Sequence, residues 1–204
     1  MARIVSTQRL RELIGEPNPV VHAKVHDRLN AQAQAFIARA PMVFLASAGA
    51  DGAPMVSPKG DAPGFVRVAD EHTLLLPERK GNRLIFSLQN ILAHPAVELI
   101  FLVPGTGETL RVGGNAELDD DAQLCASFVE RDRPALLVVR IRVQRCYFHC
   151  AKAFLRSRLW EHASWPETAL RVSFGQEIAQ AGALAPEAIE PFDQGVQERY
   201  RTDL

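Results

Sequence analysis

The stretch MVFLASAGADGAPMVSPKG, Met42–Gly60, decides the fold class. Two strand-like apolar runs flank Ala50-Asp51-Gly52, and an Asp-Gly pair between such runs signals a tight hairpin. A hairpin makes its strands antiparallel with no helix between them, which argues against a doubly wound parallel sheet. The texture continues outward. GFVRVA and TLLLP are joined by Asp70-Glu71-His72, and AVELIFLVP meets ETLRVGGNAEL across Gly105-Thr106-Gly107. In ALLVVRIRVQRCYFH, Ala135–His149, the polar Arg140, Arg142 and Gln144 alternate with Val139, Ile141 and Val143. That period of two marks a half-buried strand. The sum is about six or seven strands in hairpins with helices inserted singly, which predicts a mainly β protein: an antiparallel barrel with flanking helices.

Ser6 caps a predicted helix in TQRLRELI that stops at Gly15. Asn18-Pro19 opens a second, with Val21, Val25, Leu29, Ala33, Phe36 and Ile37 at helical spacing to about Ala40. A third is expected from Arg83 to Ala93, capped by Asn82, and a fourth follows the carboxylates Asp119–Asp121. CAKAFLRSRLW reads as a short helix, and the region beyond Pro166 as helical, broken at Pro186 and Pro191. The expected organisation is a helical segment over 1–40, a barrel domain over 41–160 and a helical extension over 161–204.

Composition narrows the function classes. Apolar residues make up 47% of 204, and the net charge of −1 offers no overall field for nucleic acid or anionic lipid. The three cysteines cannot build a disulfide framework, and MARIVSTQRLRELIG lacks the apolar core of a signal peptide. The reading is a cytoplasmic protein without membrane or nucleic-acid partners. Cys146, His149 and Cys150 lack a second ligand pair for zinc, and His22 with His26 lacks the glutamate of a zinc hydrolase motif, so no metal is expected. G-x-S-x-G, G-x-x-x-x-G-K and G-x-G-x-x-G patterns are absent.

One local feature points to chemistry. Arg79, Lys80 and Arg83 gather where LLLPERKGNRLIFSLQNILAHP passes from strand to helix. The partial positive charge of a helix N-terminus repels cations, whereas a bound phosphate reconciles them with the unpaired amides. VSPKG, Val56–Gly60, ends a strand with a hydroxyl, a cation and a glycine. His149, Lys152 and Arg156 fall on one face of a predicted helix. Each of these three also reads as an ordinary solvated turn or basic face.

The order of these pieces resembles the pyridoxamine 5′-phosphate oxidase-like family of FMN-binding split barrels. The resemblance rests on FLASAGADGAPMVSPKGDAPGFVRV, on the run from Thr73 through Leu118, and on CYFHCAKAFLRSRLW. It implies a six-stranded, Greek-key barrel and a homodimer with FMN between subunits. It places Ser57, Pro58, Lys59 and Gly60 along the flavin. Pro77, Arg79, Lys80, Asn82 and Arg83 fall at the ribityl phosphate, and Thr109 at the isoalloxazine. His149, Lys152 and Arg156 would close the site from the second subunit. The implied activity is FMN-dependent oxidoreduction of a small-molecule substrate or electron donor, with no catalytic residue assigned. Two alternatives are a non-catalytic flavin-binding or flavin-sensing protein and a split-barrel enzyme using F420. The family's Ser-Arg-Lys run reads Gly81-Asn82-Arg83 here, and its C-terminal Arg-x-His is missing, so pyridoxamine 5′-phosphate is not the expected substrate.

Overall fold

The structure, a computed structural model, describes residues 3–203. Met1, Ala2 and Leu204, the outermost residues of the two expected helical segments, lie outside the described residues. The strands are β1 (Met42–Ala48), β2 (Pro54–Gly60), β3 (Arg67–Asp70), β4 (Thr73–Glu78), β5 (Ala96–Leu102), β6 (Thr109–Asp119) and β7 (Leu137–His149). They form one seven-stranded sheet in the order β2-β1-β5-β6-β7-β4-β3, and every pairing is antiparallel. Seven strands fall within the six or seven read from the sequence and exceed by one the six the resemblance implies; β3 is a four-residue edge piece paired only with β4.

The hairpins form where the turn chemistry places them. Gly52 has φ +77° between β1 and β2, and Gly105 has φ +81° between β5 and β6, the left-handed region that glycine enters without steric cost. Alternation then decides the faces. In β1, Val43, Leu45 and Ser47 are buried while Met42, Phe44 and Ala46 are half-buried. Leu74, Leu76, Leu99, Phe101, Leu110, Val112, Val139 and Ile141 complete the core with β1. Each such side chain contributes roughly 1.5–3 kcal/mol on burial. A bulge between β6 and β7 leaves Gln144 unpaired, since Gly113 faces Arg145 while Gly114 faces Val143. A Cβ on Gly114 would stand 2.0 Å from the Arg142 carbonyl oxygen, so only glycine lets the strands approach there.

The sheet closes by side chains. β2 is paired on one side with β1, and its far end meets the end of β4 through Lys59–Glu78 and Asp61–Arg79 ion pairs. The barrel is therefore split at this seam.

The helices are α1 (Thr7–Ile14), α2 (Ala31–Ile37), α3 (Phe86–Ala93), α4 (Ala122–Ala126), α5 (Lys152–Ser157), α6 (Phe174–Gln180) and α7 (Ile189–Thr202). Ser6 caps α1 and Gly15, φ +85°, ends it, as its residues predict. The single helix expected from Pro19 to Ala40 is instead two pieces. Asn18 caps a six-residue 3-10 turn, Pro19–Lys24, and Asn30 separately caps α2. Between them the backbone of His26 exchanges hydrogen bonds of 2.9 and 2.7 Å with Cys146. β4 covers β7 only from Leu137 to Arg142, and the N-terminal segment takes over the open edge beyond it. Those backbone demands outweigh helical periodicity. α2 then sends Ala33 and Ile37, with Leu29 and Ala40 beside it, into the barrel core.

A second correction concerns α7. Pro191 was expected to break a helix, yet it lies in the first turn of α7, where its missing N–H has no intrahelical partner to lose. α6 packs on α7, and Asp193 joins them by accepting from the Ser173 hydroxyl and from the Gly175 N–H at 2.8 Å.

Candidate functional site

The seam between β2 and β4 gathers most of the predicted residues. Ser57 and Lys59 lie on the β2 face that pairs opposite Leu45 and Val43, and Pro58 and Gly60 are exposed. Lys59 Nζ stands 2.9 and 2.6 Å from the two Glu78 carboxylate oxygens, with both side chains only 16% exposed. Pro77 is buried one residue before. Arg79 donates from Nε to Asp61 at 2.8 Å and from Nη1 to the Phe128 carbonyl at 2.8 Å. Lys80 reaches Asp203 beyond α7 at 2.9 Å, and that salt bridge holds the Asp203 carboxyl below its usual range. The three cations at the helix mouth are thus unequal. Arg79 is spent on the seam, Lys80 is shared with a surface carboxylate, and Arg83 is exposed with no ion-pair partner among the described residues.

The helix itself starts later than the sequence predicts. Asn82 does not cap it; its Oδ1 accepts from the Leu84 N–H at 3.1 Å in a local turn. The helix begins at Phe86, after Ile85 at φ 47°, and no side chain caps it. Arg83, outside the helix, also has a left-handed φ of 64°. The other non-glycine residues with positive φ have ordinary structural reasons. Arg131 and Asp132 are the centre of a two-residue turn closed by Glu130–Arg133 backbone bonds, and Arg158 ends α5. Arg83 and Ile85 have no comparable closure, and each left-handed non-glycine residue costs roughly 1–2 kcal/mol. The result is an exposed loop of twisted amides leading into an uncapped helix N-terminus beside a free arginine, an arrangement suited to an anion.

The remaining predicted residues form a second group. The register sets Thr109 directly opposite His149. Thr109 is buried and His149 exposed. The resemblance divides these two between subunits, whereas here they are cross-strand partners in one chain. The His149 imidazole titrates below its ordinary value, first through desolvation and then through the nearby charges of Arg111 and Lys24. Lys152 and Arg156 are exposed, one turn apart on α5. The start of α5 is fixed against the β5–β6 turn: a Cβ on Gly107 would meet the Ala151 Cβ at 2.7 Å, and Trp160 Nε1 donates to the Thr106 carbonyl at 2.9 Å.

Sequence reading missed the carboxylates that organise this region, Asp61, Glu78 and Asp203. Glu78 adjoins the cations in Pro77-Glu78-Arg79-Lys80, but its partner lies nineteen residues away across the seam. Only closure of the sheet selects it.

The family model described as pyridoxamine 5′-phosphate oxidase matches residues 29–150, and the chain belongs to this family. No curated protein matches it. Among solved structures it is similar to HupZ of Group A Streptococcus, with 20% identity over 57% of this chain and 90% of that one and a TM-score of 0.47. An FMN-binding protein from Syntrophomonas wolfei subsp. wolfei shares 9% identity over 60% and 86% of the two chains, with a TM-score of 0.47. General Stress Protein 26 from Bacillus anthracis shares 14% over 56% and 88%, with a TM-score of 0.44. Among the described residues no helix is long and apolar enough to cross a membrane.

Proposed function

We propose that this protein is an FMN-dependent oxidoreductase whose flavin lies between the subunits of a homodimer. The observation that carries this reading is the loop Arg83–Ile85. Two left-handed residues precede an uncapped helix start, and one of them, Arg83, has no ion-pair partner among the described residues. A phosphate monoester carries nearly two negative charges and accepts several hydrogen bonds, so it answers the amides and Arg83 together. Family membership supports a flavin as the owner of that phosphate.

The chain's residues fit the group. Arg83, with Lys80 released from Asp203, would hold the phosphate, and Asn82 shapes the loop that presents its amides. Arg79 keeps the loop anchored to the barrel through Asp61 and Phe128. Ser57, Pro58 and Gly60 would line the ring system along β2. Lys59, held by Glu78, is a fixed dipole at the seam and supplies no free cation. Thr109 and His149 would face the flavin edge from β6 and β7, and Lys152 and Arg156 the flavin of the partner subunit. Bound there, the flavin would supply hydride or electron transfer.

Exposed apolar side chains favour dimerisation: Met55 and Val56 on β2, Leu84 and Ile85 before α3 with Phe86 at its start, and Leu155 on α5. They lie on the elements that carry proposed site residues, and a second subunit would cover them. The test is mass spectrometry of the ligand released from protein purified without added cofactor, together with its sedimentation. FMN in a dimer supports the proposal. F420, or a monomer retaining stoichiometric FMN, overturns it. NAD(P)H turnover by stopped-flow mixing then separates an enzyme from a flavin sensor. Pyridoxamine 5′-phosphate is expected to be a poor substrate, because the family's C-terminal Arg-x-His is missing.

A further inference from the structure

A cavity of about 480 Å3 lies between the N-terminal segment and the last residues of β7; its lining includes none of the residues assigned to the flavin, although Glu108 and Phe148 adjoin Thr109 and His149 in the chain. We propose that it binds a second small molecule, a flat aromatic carboxylate or phosphate that also carries a hydrogen-bond donor. The volume falls in the range of small-molecule sites. Part of its wall, Lys24 and His26, precedes the family-matched residues 29–150, so this site is an addition by the N-terminal segment.

Three features set the ligand's chemistry. Phe36 and Phe148, edge to face at 5.4 Å, give the cavity an apolar aromatic wall. Lys24 stands 5.9 Å over the Tyr147 ring, and both line the cavity. Tyr147 is the cross-strand partner of Arg111, whose buried Nε has no hydrogen-bond partner. His149 lies close enough to feel the charges of both Lys24 and Arg111. Lys24 is thus the cavity's own cation, in no salt bridge among the described residues, and Arg111 stands across from Tyr147 in the sheet. The opposite requirement comes from Glu108, a cavity carboxylate in no salt bridge among the described residues, which calls for a donor. The backbone adds more. Cys146 turns its N–H and C=O toward His26, and strand alternation turns those of Phe148 the same way. Asn30 caps α2 from the same wall and fixes its position.

The site stands whether or not the flavin assignment holds. Its test is calorimetric titration of the purified protein with 4-hydroxybenzoate, benzoate and the neutral 4-hydroxybenzyl alcohol. Saturable binding of 4-hydroxybenzoate is expected, with the alcohol at least about tenfold weaker. Lys24→Glu is expected to weaken 4-hydroxybenzoate by about tenfold or more, and Lys24→Arg to retain it. Glu108→Ala, which removes the acceptor, is expected to erase the advantage of 4-hydroxybenzoate over benzoate. Lys24 and Glu108 both lie outside the hydrophobic core, and an unchanged melting temperature verifies folding. The proposal is overturned if neither acid binds below about 10 mM, or if the alcohol binds equally well. Lys24→Glu binding as wild type, or Glu108→Ala keeping the preference, overturns it too.

Discussion

The turn at Gly49–Gly52 and the loop at Gly81–Ile85 both reverse the chain, and they do so by opposite means. The first places glycine at the left-handed position, closes with a Gly49–Ala53 backbone bond and has Asp51 accept from the Ala53 N–H at 3.0 Å. Its residues match its shape, and it stores no strain. The second has a glycine, yet puts Arg83 and Ile85 in the left-handed region and leaves Leu84, Ile85 and Phe86 exposed. Local misfit of this kind persists when something outside the local sequence requires it, and functional sites are where it collects. The comparison separates a turn that serves the fold from a loop shaped for a ligand.

The largest effect should come from a glycine that space alone demands. Gly114→Ala forces a Cβ to within 2.0 Å of a backbone oxygen at the β6–β7 bulge. It is expected to cost about 3 kcal/mol or more, seen as a large drop in urea midpoint. Tolerance of this change would mean that the bulge is soft.

The double variant Lys80→Ala, Arg83→Ala addresses the loop directly. Losing a charge-assisted hydrogen bond costs roughly 1.5–3 kcal/mol, so FMN affinity should fall at least about ten- to a hundredfold. The apo melting temperature should stay nearly unchanged, because both side chains are exposed. Equal affinity in variant and wild type removes the loop from the flavin site.

Ile85→Gly sharpens the contrast further. Relief of a left-handed isoleucine is expected to offset glycine's unfolded-state entropy and leave apo stability the same or higher by about 1 kcal/mol. The loosened loop should still bind FMN more weakly, so stability and affinity move in opposite directions. In Gly52→Ala both the turn and the fold should lose, by about 1 kcal/mol, with flavin affinity untouched.

The smallest effect is chemical. Burial pushes the Cys146 thiol up to about 11, whereas Cys150 is exposed. Near pH 8 the Cys146 thiol stays protonated and unreactive. Iodoacetamide should label Cys150 first in the native protein without changing stability, and Cys125 and Cys146 only on unfolding. Rapid native labelling of Cys146 would show that the His26 segment opens.

Strand identity was legible wherever the chain alternates. Val139, Ile141 and Val143 are buried while Arg142 and Gln144 are exposed, because a half-buried strand writes its two faces into a period of two. Asp-Gly and Gly-Thr-Gly turns were equally plain, since their chemistry is local. The cations at Arg79–Arg83 were visible as a cluster, but their division of labour was not. Asp61 and Asp203 compete for Arg79 and Lys80 from eighteen and 123 residues away.

What the sequence determined by itself was therefore what depends on neighbours along the chain: antiparallel strands, the caps at Ser6 and Asn18, and a basic loop before α3. The tertiary structure decided what depends on neighbours in space. It broke the Pro19–Ala40 helix because the open edge of β7 at Cys146 needed backbone partners. It locked Lys59 onto Glu78 because the sheet closes there. It moved the start of α3 to Phe86, leaving Arg83 outside the helix. Propensities are worth tenths of a kcal/mol per residue, and an unpaired buried amide or charge costs several times that, so where the two conflict the fold satisfies the polar groups first.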